Sequence, residues 1–526
     1  MSENLNWWKE GVFYQIYPRS FYDSNDDGIG DLPGITQKLD YLKWLGIEGL
    51  WLSPFFESPM DDFGYDITDY LNVDPIFGTL NDFDTMMAKS NELGLKIILD
   101  LVPNHTSYKH PWFQESRSSR DNPKADWYIW RDAKPDGSPP NNWCAISSIK
   151  KIGSAWAWDE TRKQYFLASF SPVQPDVNWR NPEVKAAIMD VLRFWLDRGV
   201  YGFRIDMIDY LSKDAEFRDE PSSTFEAKDY ISTAVYHLNQ VETLQYVKEM
   251  RQVMDQYPAR VTIGETAYHH PLEQLLKFTE HGLDIPFNFR FTIAPLTKAF
   301  LEGFVKTYDM TFGTKAQPNY SFANHDVLRA TRLGDPGARL AAMLLLTLRG
   351  TPFVYYGEEL GMENVDVPPE RRQDPFVSYE SGGTRDPNRT PMQWTPGPFA
   401  GFTSVEPWLP LGPNYATINV EVEKQNPNSM LMLYKRLIEF RQSHPAMRQG
   451  HMMVLDFMGD VYGYTRTAND DQVLILLNLG DSEETVNLPA GEWSLQISTL
   501  HTQSDTVVLS PLRLQAHEGT VLLKKN

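Results

Sequence analysis

Eight short β-rich runs, separated by helical patterns, constrain the fold of this chain more than any other feature. The runs cover residues 12–18, 49–54, 96–102, 202–207, 261–266, 285–289, 321–325 and 352–356. Several are apolar without alternation, which is typical of parallel strands buried on both faces. The intervening helical patterns end at Gly46, Gly199 and Gly350, which are suitable helix C-caps. The alternation predicts an α/β fold, a (β/α)8 TIM barrel.

Two stretches depart from this alternation. After the third strand, residues 105–180 are rich in Trp, Pro, Asn and Ser, which predicts a small domain inserted on a barrel loop. Past about residue 447, short strands alternate with Gly, Asp and Pro turns, which predicts a C-terminal antiparallel β domain. We therefore assign residues 1–104 and 181–447 to the barrel, 105–180 to the inserted domain and 448–526 to a C-terminal β-sandwich.

Composition disfavours several classes of protein. The formal net charge of −21 over 526 residues repels nucleic acid and anionic membranes. The single cysteine, Cys144, excludes an internal disulfide. The first residues lack an apolar signal core, and no apolar run reaches membrane-spanning length. We expect a soluble cytoplasmic protein that binds neither nucleic acid nor membrane.

Four of the predicted strands terminate in a carboxylate, at the C-terminal ends where barrel enzymes place their chemistry. These acids are Asp100, Asp206, Glu265 and Asp326. Arg204 lies two residues before Asp206 on the same strand face. His105 follows Asp100 by five residues, and His325 directly precedes Asp326. Such an acidic rim suits either a metal site or the acid/base set that cleaves an acetal.

Acetal cleavage requires two carboxyl groups in different protonation states, one to donate a proton and one to attack or stabilise the sugar carbon. The guanidinium of Arg204 favours the ionised form of Asp206, which suits a nucleophile. Glu265 has no basic residue beside it in sequence, so a raised pKa suits it as the proton donor. Asp326, across the mouth of the barrel, is placed to bind sugar hydroxyls.

The strand ends carry four ordered motifs, which read Asp100-Leu-Val-Pro-Asn-His105, Gly202-Phe-Arg-Ile-Asp206, Gly264-Glu265 and Asn324-His-Asp326. Two further segments are Gln174-Pro-Asp-Val-Asn-Trp179 and Gly383-Thr-Arg-Asp-Pro-Asn-Arg-Thr-Pro-Met-Gln-Trp394. Over nearly its whole length the chain resembles the α-amylase family, glycoside hydrolase family 13. The two further segments resemble those of its α-glucosidase and oligo-1,6-glucosidase group.

The resemblance implies a role for each matching residue. Asp206 would be the nucleophile held by Arg204, Glu265 the acid/base, and Asp326 the stabiliser of the transition state. The residues that would bind or enclose the terminal glucose are Asp62, Tyr65, His105, Phe170, Gln174, His325 and Arg385. The dead-end pocket that they imply favours removal of single terminal glucoses from short α-linked substrates.

The loop from residue 23 to 31 places oxygen-bearing residues at alternate positions, a pattern that can wrap the chain around a hard cation. The predicted ligands are Asp23, Asn25, Asp27, the Ile29 carbonyl and Asp31. The twelfth position is Gly34 rather than Glu, so the loop is no EF-hand. The resembled group carries Ca2+ or Mg2+ here in a structural role, and an Asx-turn without metal is the alternative. No organic cofactor is expected.

Some positions differ from the resembled group and leave specificity open. Ala168 stands where relatives usually have His, and the segment after Trp143 is longer than usual. Met207, which would flank the leaving-sugar subsite, matches neither the Val of α-1,6 enzymes nor the Ala or Thr of α-1,4 enzymes. Because Met is unbranched and soft, we favour small α-1,4-linked substrates such as maltose, with transglucosylation.

Three alternative functions are weighed against this one. An oligo-1,6-glucosidase, or a transglucosidase or isomerase acting on sucrose or maltose, would use the same glucosyl-enzyme intermediate. Some relatives are non-catalytic subunits of amino-acid transporters, but those carry a membrane helix and lose the acids. This chain keeps Asp206, Glu265 and Asp326, which disfavours a non-catalytic transporter subunit.

Overall fold

A parallel eight-stranded sheet forms the centre of the molecule. The computed structural model describes residues 5–145, 153–221, 234–266, 270–375, 384–502 and 505–525. The barrel strands, first to eighth, are Phe13–Ile16, Gly49–Leu52, Lys96–Leu101, Gly202–Ile205, Val261–Gly264, Ile285–Pro286, Asn319–Ser321 and Thr351–Tyr355. Their spatial order is 6-5-4-3-2-1-8-7, and every neighbouring pair is parallel.

A side chain joins the sixth and seventh strands. Asn319 accepts a hydrogen bond from the backbone N–H of Asn288 at 3.0 Å and donates one to the carbonyl of Pro286. The seventh strand begins earlier than predicted and ends at Ser321. His325 and Asp326 therefore lie beyond the strand rather than at its end. The predicted barrel is otherwise confirmed.

Helices cover the outside of the sheet, and their bounds follow from local sequence. The helix Leu32–Leu45 begins at Asp31, whose side chain accepts from the N–H of Gly34 at 2.6 Å. It ends at Gly46, whose φ of 98° lies in the left-handed region that favours glycine. In the described residues, the other helices are Trp7–Glu10, Leu80–Leu93, Pro111–Ser118, Pro182–Asp197, Glu242–Met254, Leu272–Glu280, Arg290–Ile293, Lys298–Phe312, Gly334–Thr347, Val420–Glu423, Met430–Ser443 and Pro445–Gln449. Short 3₁₀ segments in the same described ranges are Pro18–Ser20, Ile208–Tyr210, Ala330–Leu333, Glu358–Leu360, Pro369–Arg371, Asp386–Asn388 and Pro398–Gly401.

An aromatic cluster fills the barrel below the polar mouth. Phe13 stacks on Phe353 with ring centroids 4.8 Å apart, and Trp51 and Phe287 pack in the same cluster. The indole N–H of Trp51 donates to Asp100 at 3.1 Å, which connects this apolar floor to the first of the acids. Water is thus excluded from below, and the acids face the carboxyl ends of the strands.

Short antiparallel sheets lie outside the barrel strands, one in the inserted region and one nearer the barrel. In the inserted region, Trp130–Arg131, Trp156–Asp159 and Gln164–Leu167 form an antiparallel sheet. Nearer the barrel, Phe56–Glu57 pairs with Asp69–Val73.

The C-terminal region is antiparallel, as predicted. Its six-stranded sheet consists of His451–Leu455, Val461–Ala468, Asp471–Asn478, Trp493–Ser498, Thr506–Val508 and Gly519–Lys524. A second sheet pairs Glu484–Val486 with Leu512–Leu514. Buried apolar side chains from both sheets, including Val486, Trp493 and Leu514, form one cluster. Within the described ranges, no helix is both long and apolar enough to span a membrane.

Candidate active site

One guanidinium joins three of the strand-end acids. Nη1 of Arg204 lies 2.7 Å from Oδ1 of Asp100 and 2.8 Å from Oδ1 of Asp206, while Nη2 contacts Glu265. The strand register pairs Gly264 with Ile205, and this brings Glu265 beside Asp206. Glu265 therefore does have a basic neighbour in space, although it has none in sequence. All four side chains are buried.

The carboxyl groups of Asp206 and Glu265 are in direct contact. Burial raises the pKa of Asp206 well above its usual range, and neighbouring Glu265 and Asp100 add to the rise against the opposing charge of Arg204. Burial also raises the pKa of Glu265. The interaction between the two carboxyl groups raises the pKa of Asp206 and lowers that of Glu265. Without substrate the proton is therefore drawn towards Asp206, which corrects the expectation that Arg204 keeps Asp206 ionised. Two close carboxylates cannot both ionise cheaply, so the pair holds one proton and titrates as a unit.

Asp326 has a different electrostatic environment. Its Oδ1 accepts from Arg389 at 2.9 Å and from Arg385 at 3.1 Å. Burial alone would raise the pKa of Asp326, but the neighbouring His325 and the guanidiniums of Arg385 and Arg389 outweigh it and hold the pKa well below the usual range. Asp326 therefore stays ionised, whereas the Asp206–Glu265 pair holds a proton that it can give up.

His325 is a neutral donor between the acids. Burial lowers the pKa of His325 to about 3. Its Nδ1 lies 2.8 Å from the amide nitrogen of Gln15, so Nδ1 accepts and Nε2 carries the proton. Nε2 lies 2.7 Å from the Tyr65 hydroxyl and 3.1 Å from Asp326. The Tyr65 hydroxyl in turn donates to Asp100 at 2.9 Å.

The far wall of the pocket combines the barrel loops with the inserted region. Nη2 of Arg385 donates to Oδ1 of Asp62 at 2.8 Å, and Nε2 of Gln174 donates to Oδ2 at 2.9 Å. The His105 ring lies 4.9 Å from the Phe170 ring, and its Nε2 is 3.1 Å from the Tyr65 carbonyl. Burial lowers the pKa of His105 to about 4, so it is also neutral. The predicted glucose-binding residues thus lie together in one connected set of contacts.

Met207 has a strained backbone next to the carboxyl pair. Its φ of 37° and ψ of 53° fall in the left-handed region, which is unfavourable for a non-glycine residue. This turn aims its N–H at Oε2 of Glu265, 3.4 Å away. The half-buried side chain follows the nucleophile position directly. Its contact with a leaving sugar stays a prediction.

Three residues of this hydrogen-bond network were not predicted from the sequence. Arg389 lies within the 383–394 segment, so that motif could have revealed it. Asp374 and Gln15 belong to no motif, and only their contacts with Arg385 and His325 reveal them. Residues 146–152, which hold most of the unusually long segment after Trp143, and Gly383 lie outside the described residues.

The 23–31 loop uses its acids as hydrogen-bond acceptors for the backbone. Asp23 accepts from the N–H groups of Asn25 at 3.0 Å and Gly28 at 2.7 Å, and Asp27 accepts from that of Ile29 at 2.8 Å. Asp31 accepts from Ser24 and Gly34. In the part of the chain that the structure describes, no group of three His, Cys, Asp or Glu side chains has a metal-binding arrangement. The cation stays a prediction.

Comparison with known proteins agrees with the geometry. The model of the alpha-amylase catalytic domain matches residues 15–450. A probable alpha-glucosidase of Rhizobium meliloti (strain 1021) is 42% identical, with 93% of this chain and 92% of that protein covered. An oligo-1,6-glucosidase of Parageobacillus thermoglucosidasius is 41% identical, with 92% of each chain covered. The crystal structure of an alpha-glucosyl transfer enzyme, XgtA, superposes with a TM-score of 0.90 at 39% identity over 99% of both chains.

Proposed function

The chain belongs to the α-amylase family of glycoside hydrolases, and on this premise we propose that it is a retaining, exo-acting α-glucosidase. It would release terminal non-reducing glucose from short α-linked oligosaccharides, with maltose as the favoured kind of substrate. The similarity to an α-glucosidase and an oligo-1,6-glucosidase supports the substrate class.

The contact between Asp206 and Glu265 carries the proposal. Retaining glycosidases place their two carboxyl groups about 5–5.5 Å apart, whereas inverting ones leave about 6.5–9.5 Å for a water. A pair in hydrogen-bond contact leaves no room for that water. The two residues also share a guanidinium, which holds them on the same side of the mouth.

The reaction then has two steps. An oxygen of Asp206 would attack the anomeric carbon while Glu265 gives its proton to the departing glycosidic oxygen, so one C–O bond forms as another breaks. Glu265, now ionised, would take a proton from water, whose oxygen displaces Asp206 from the sugar. Asp326, which is ionised throughout, would stabilise the positive charge that develops on the ring.

The closed wall of the pocket supports exo action. Arg385 bridges Asp62 and Asp326, and Gln174 holds the other oxygen of Asp62. Charged groups of this kind make strong hydrogen bonds to sugar hydroxyls. A chain that continued beyond the terminal glucose would have to break this bridge, so single glucoses fit best.

A second candidate is glucosyl transfer, either to another sugar or within sucrose. It is supported by the likeness to the alpha-glucosyl transfer enzyme, which matches this chain over nearly its full length. The two functions share the covalent intermediate and differ only in whether water or a sugar hydroxyl intercepts it. An oligo-1,6-glucosidase activity would also use the same residues.

The test is product analysis with the purified protein. Maltose, isomaltose and sucrose are supplied at low and high concentration, and proton NMR follows the first product. We expect free glucose released as the α anomer, with transfer products only at high sugar concentration. Release of the β anomer would overturn the retaining mechanism, and products dominated by new disaccharides at low concentration would favour the transferase.

We also propose a structural Ca2+ or Mg2+ in the 23–31 loop. The alternating oxygens of Asp23, Asn25 and Asp27, and the turn at Gly28 with φ of 88°, support it. Asp23 and Asp31 fit the set less well than Asn25 and Asp27, because both oxygens of each already accept hydrogen bonds. A bound cation would tie the loop together and would take no part in the reaction.

A further inference from the structure

We propose that Asp374 is a positioning residue that fixes the guanidinium of Arg385 and thereby sets the recognition of the terminal glucose. The inference rests on the proposed function, because it assigns Arg385 to the glucose pocket. Its carboxylate accepts hydrogen bonds from the Arg385 side chain, and through that guanidinium its effect reaches the pocket acids Asp62 and Asp326.

Asp374 holds Arg385 by three hydrogen bonds. Its Oδ2 accepts from Nε at 2.9 Å and from the backbone N–H at 2.8 Å, and its Oδ1 accepts from Nη2 at 2.7 Å. This side-on pairing fixes both the plane and the rotation of the guanidinium. The Asp374 side chain is fully buried and the Arg385 side chain is 14% exposed, so water can hardly replace either partner.

The adjoining edge of the same guanidinium, formed by Nη1 and the shared Nη2, faces the pocket. Nη2 donates to Oδ1 of Asp62 at 2.8 Å, and Nη1 donates to Oδ1 of Asp326 at 3.1 Å. Asp374 therefore decides how much of Arg385 reaches these acids. Without its charge, Arg385 would be drawn further onto Asp62 and Asp326, and it would occupy acceptors that the sugar hydroxyls need.

Asp374 is itself held from behind. Oδ2 of Asp386 accepts from the N–H of Gln373 at 2.7 Å, and its Oδ1 accepts from the N–H of Asp374 at 3.1 Å. Asp386 thus braces the backbone at Asp374, and Asp386 is fully buried. Burial would raise the pKa of Asp374, but Arg385 outweighs it and keeps the pKa below the usual range, so the carboxylate stays charged.

A matched control exists elsewhere in the chain. Asp214 holds Arg218 by the same three bonds, to Nε at 3.0 Å, to the backbone N–H at 3.0 Å and to Nη2 at 2.7 Å. The Arg218 side chain is 57% exposed, and its described contacts include no pocket acid. Asp214→Asn therefore removes an equivalent pairing without disturbing Arg385.

The experiment compares p-nitrophenyl α-glucoside with its 4-deoxy and 6-deoxy analogues. The parent should discriminate against the analogue that lacks the hydroxyl bound by Arg385. In Asp374→Asn we expect KM for the full substrate to rise roughly tenfold to a hundredfold, with a smaller loss in kcat. The discrimination should fall towards one, because a displaced guanidinium no longer senses that hydroxyl. Asp214→Asn should keep both values within about twofold of the parent.

Two further measurements separate positioning from a merely structural role. Asp374→Glu keeps the charge and should recover part of the lost affinity. In an Arg385→Ala background, Asp374→Asn should add little, since the residue through which it acts is already absent. Unchanged discrimination in Asp374→Asn, or an equal loss in the Arg385→Ala background, would overturn the inference.

The outcome is distinguishable from failure of the proposed function. If the parent turns over none of the α-glucosides, the proposed function falls. Calorimetric titration with glucose then compares the parent and Asp374→Asn directly. Weaker binding by the variant, by about tenfold or more, would support the inference, and equal binding, or no binding by either protein, would overturn it.

Discussion

Two regions of the molecule are rich in carboxylates, and different partners neutralise the negative charges in each region. In the pocket, Asp206 is buried and Asp326 is half-buried, and both are paired with guanidiniums. In the 23–31 loop, Asp23 and Asp27 accept backbone N–H groups, and Asp27 is exposed. The first arrangement fixes charges for chemistry, whereas the second shapes a turn. A cluster of acids in a sequence therefore does not reveal its role until its partners are known.

The largest expected difference between the two regions is in turnover. Asp206→Asn should reduce kcat by several orders of magnitude with the fold intact, because an amide is a poor nucleophile. Asp27→Asn, the matched change in the loop, should leave kcat nearly unchanged at room temperature. Initial rates and circular dichroism measure both variants. More than a few per cent of residual activity in a folded Asp206→Asn protein would show that another residue is the nucleophile.

The second difference is in pH dependence. Lowering the pH protonates Asp206 and removes the nucleophile, and raising it deprotonates Glu265 and removes the acid, so kcat/KM should follow a bell. Burial raises the pKa of both groups, so the acid limb should lie above the ordinary aspartate value of 3.8. Glu265→Gln should abolish the alkaline limb, and Asp27→Asn should leave the profile unchanged. An acid limb at or below that ordinary value would contradict the shared proton.

The third difference concerns metal removal. Chelation should lower the melting temperature by a few degrees, because a cation that binds only the folded loop stabilises it. It should change kcat at room temperature little, since the loop supplies no catalytic group. Asp27→Asn should reduce the melting shift. If neither chelator nor added Ca2+ or Mg2+ moves the melting temperature, the loop is an Asx-turn without metal.

The smallest expected effect is at the rim of the pocket. In Met207→Val, a β-branched wall replaces a soft side chain beside the nucleophile, so kcat/KM for isomaltose should rise relative to maltose. A change of this size in a pocket is worth only ~1–3 kcal/mol. Steady-state kinetics with maltose, isomaltose and sucrose measure the ratios. A parent that prefers isomaltose, or ratios unmoved by the substitution, would defeat the idea.

The sequence by itself determined the barrel and the acids at its strand ends. Strands buried on both faces require apolar runs, and helices between them require periodic patterns, so both are visible locally. The position of Asp206 and Glu265 at the ends of such runs follows directly. The exception was the seventh strand, where a run that included Phe322 and Ala323 suggested a longer strand than the chain forms.

Only the tertiary structure decided which charges meet. Gln15 reaches His325 across 310 residues, and Arg385 reaches Asp62 across 323. The contact of Arg204 with Glu265 depends on the register of two strands, which residue types do not encode. Asp374 belongs to no sequence motif, and only the folded chain brings its carboxylate to the side chain of Arg385. A periodic pattern in the sequence indicates which residues are buried. It does not indicate which charged groups meet, because that depends on distances between side chains that exist only in the folded chain.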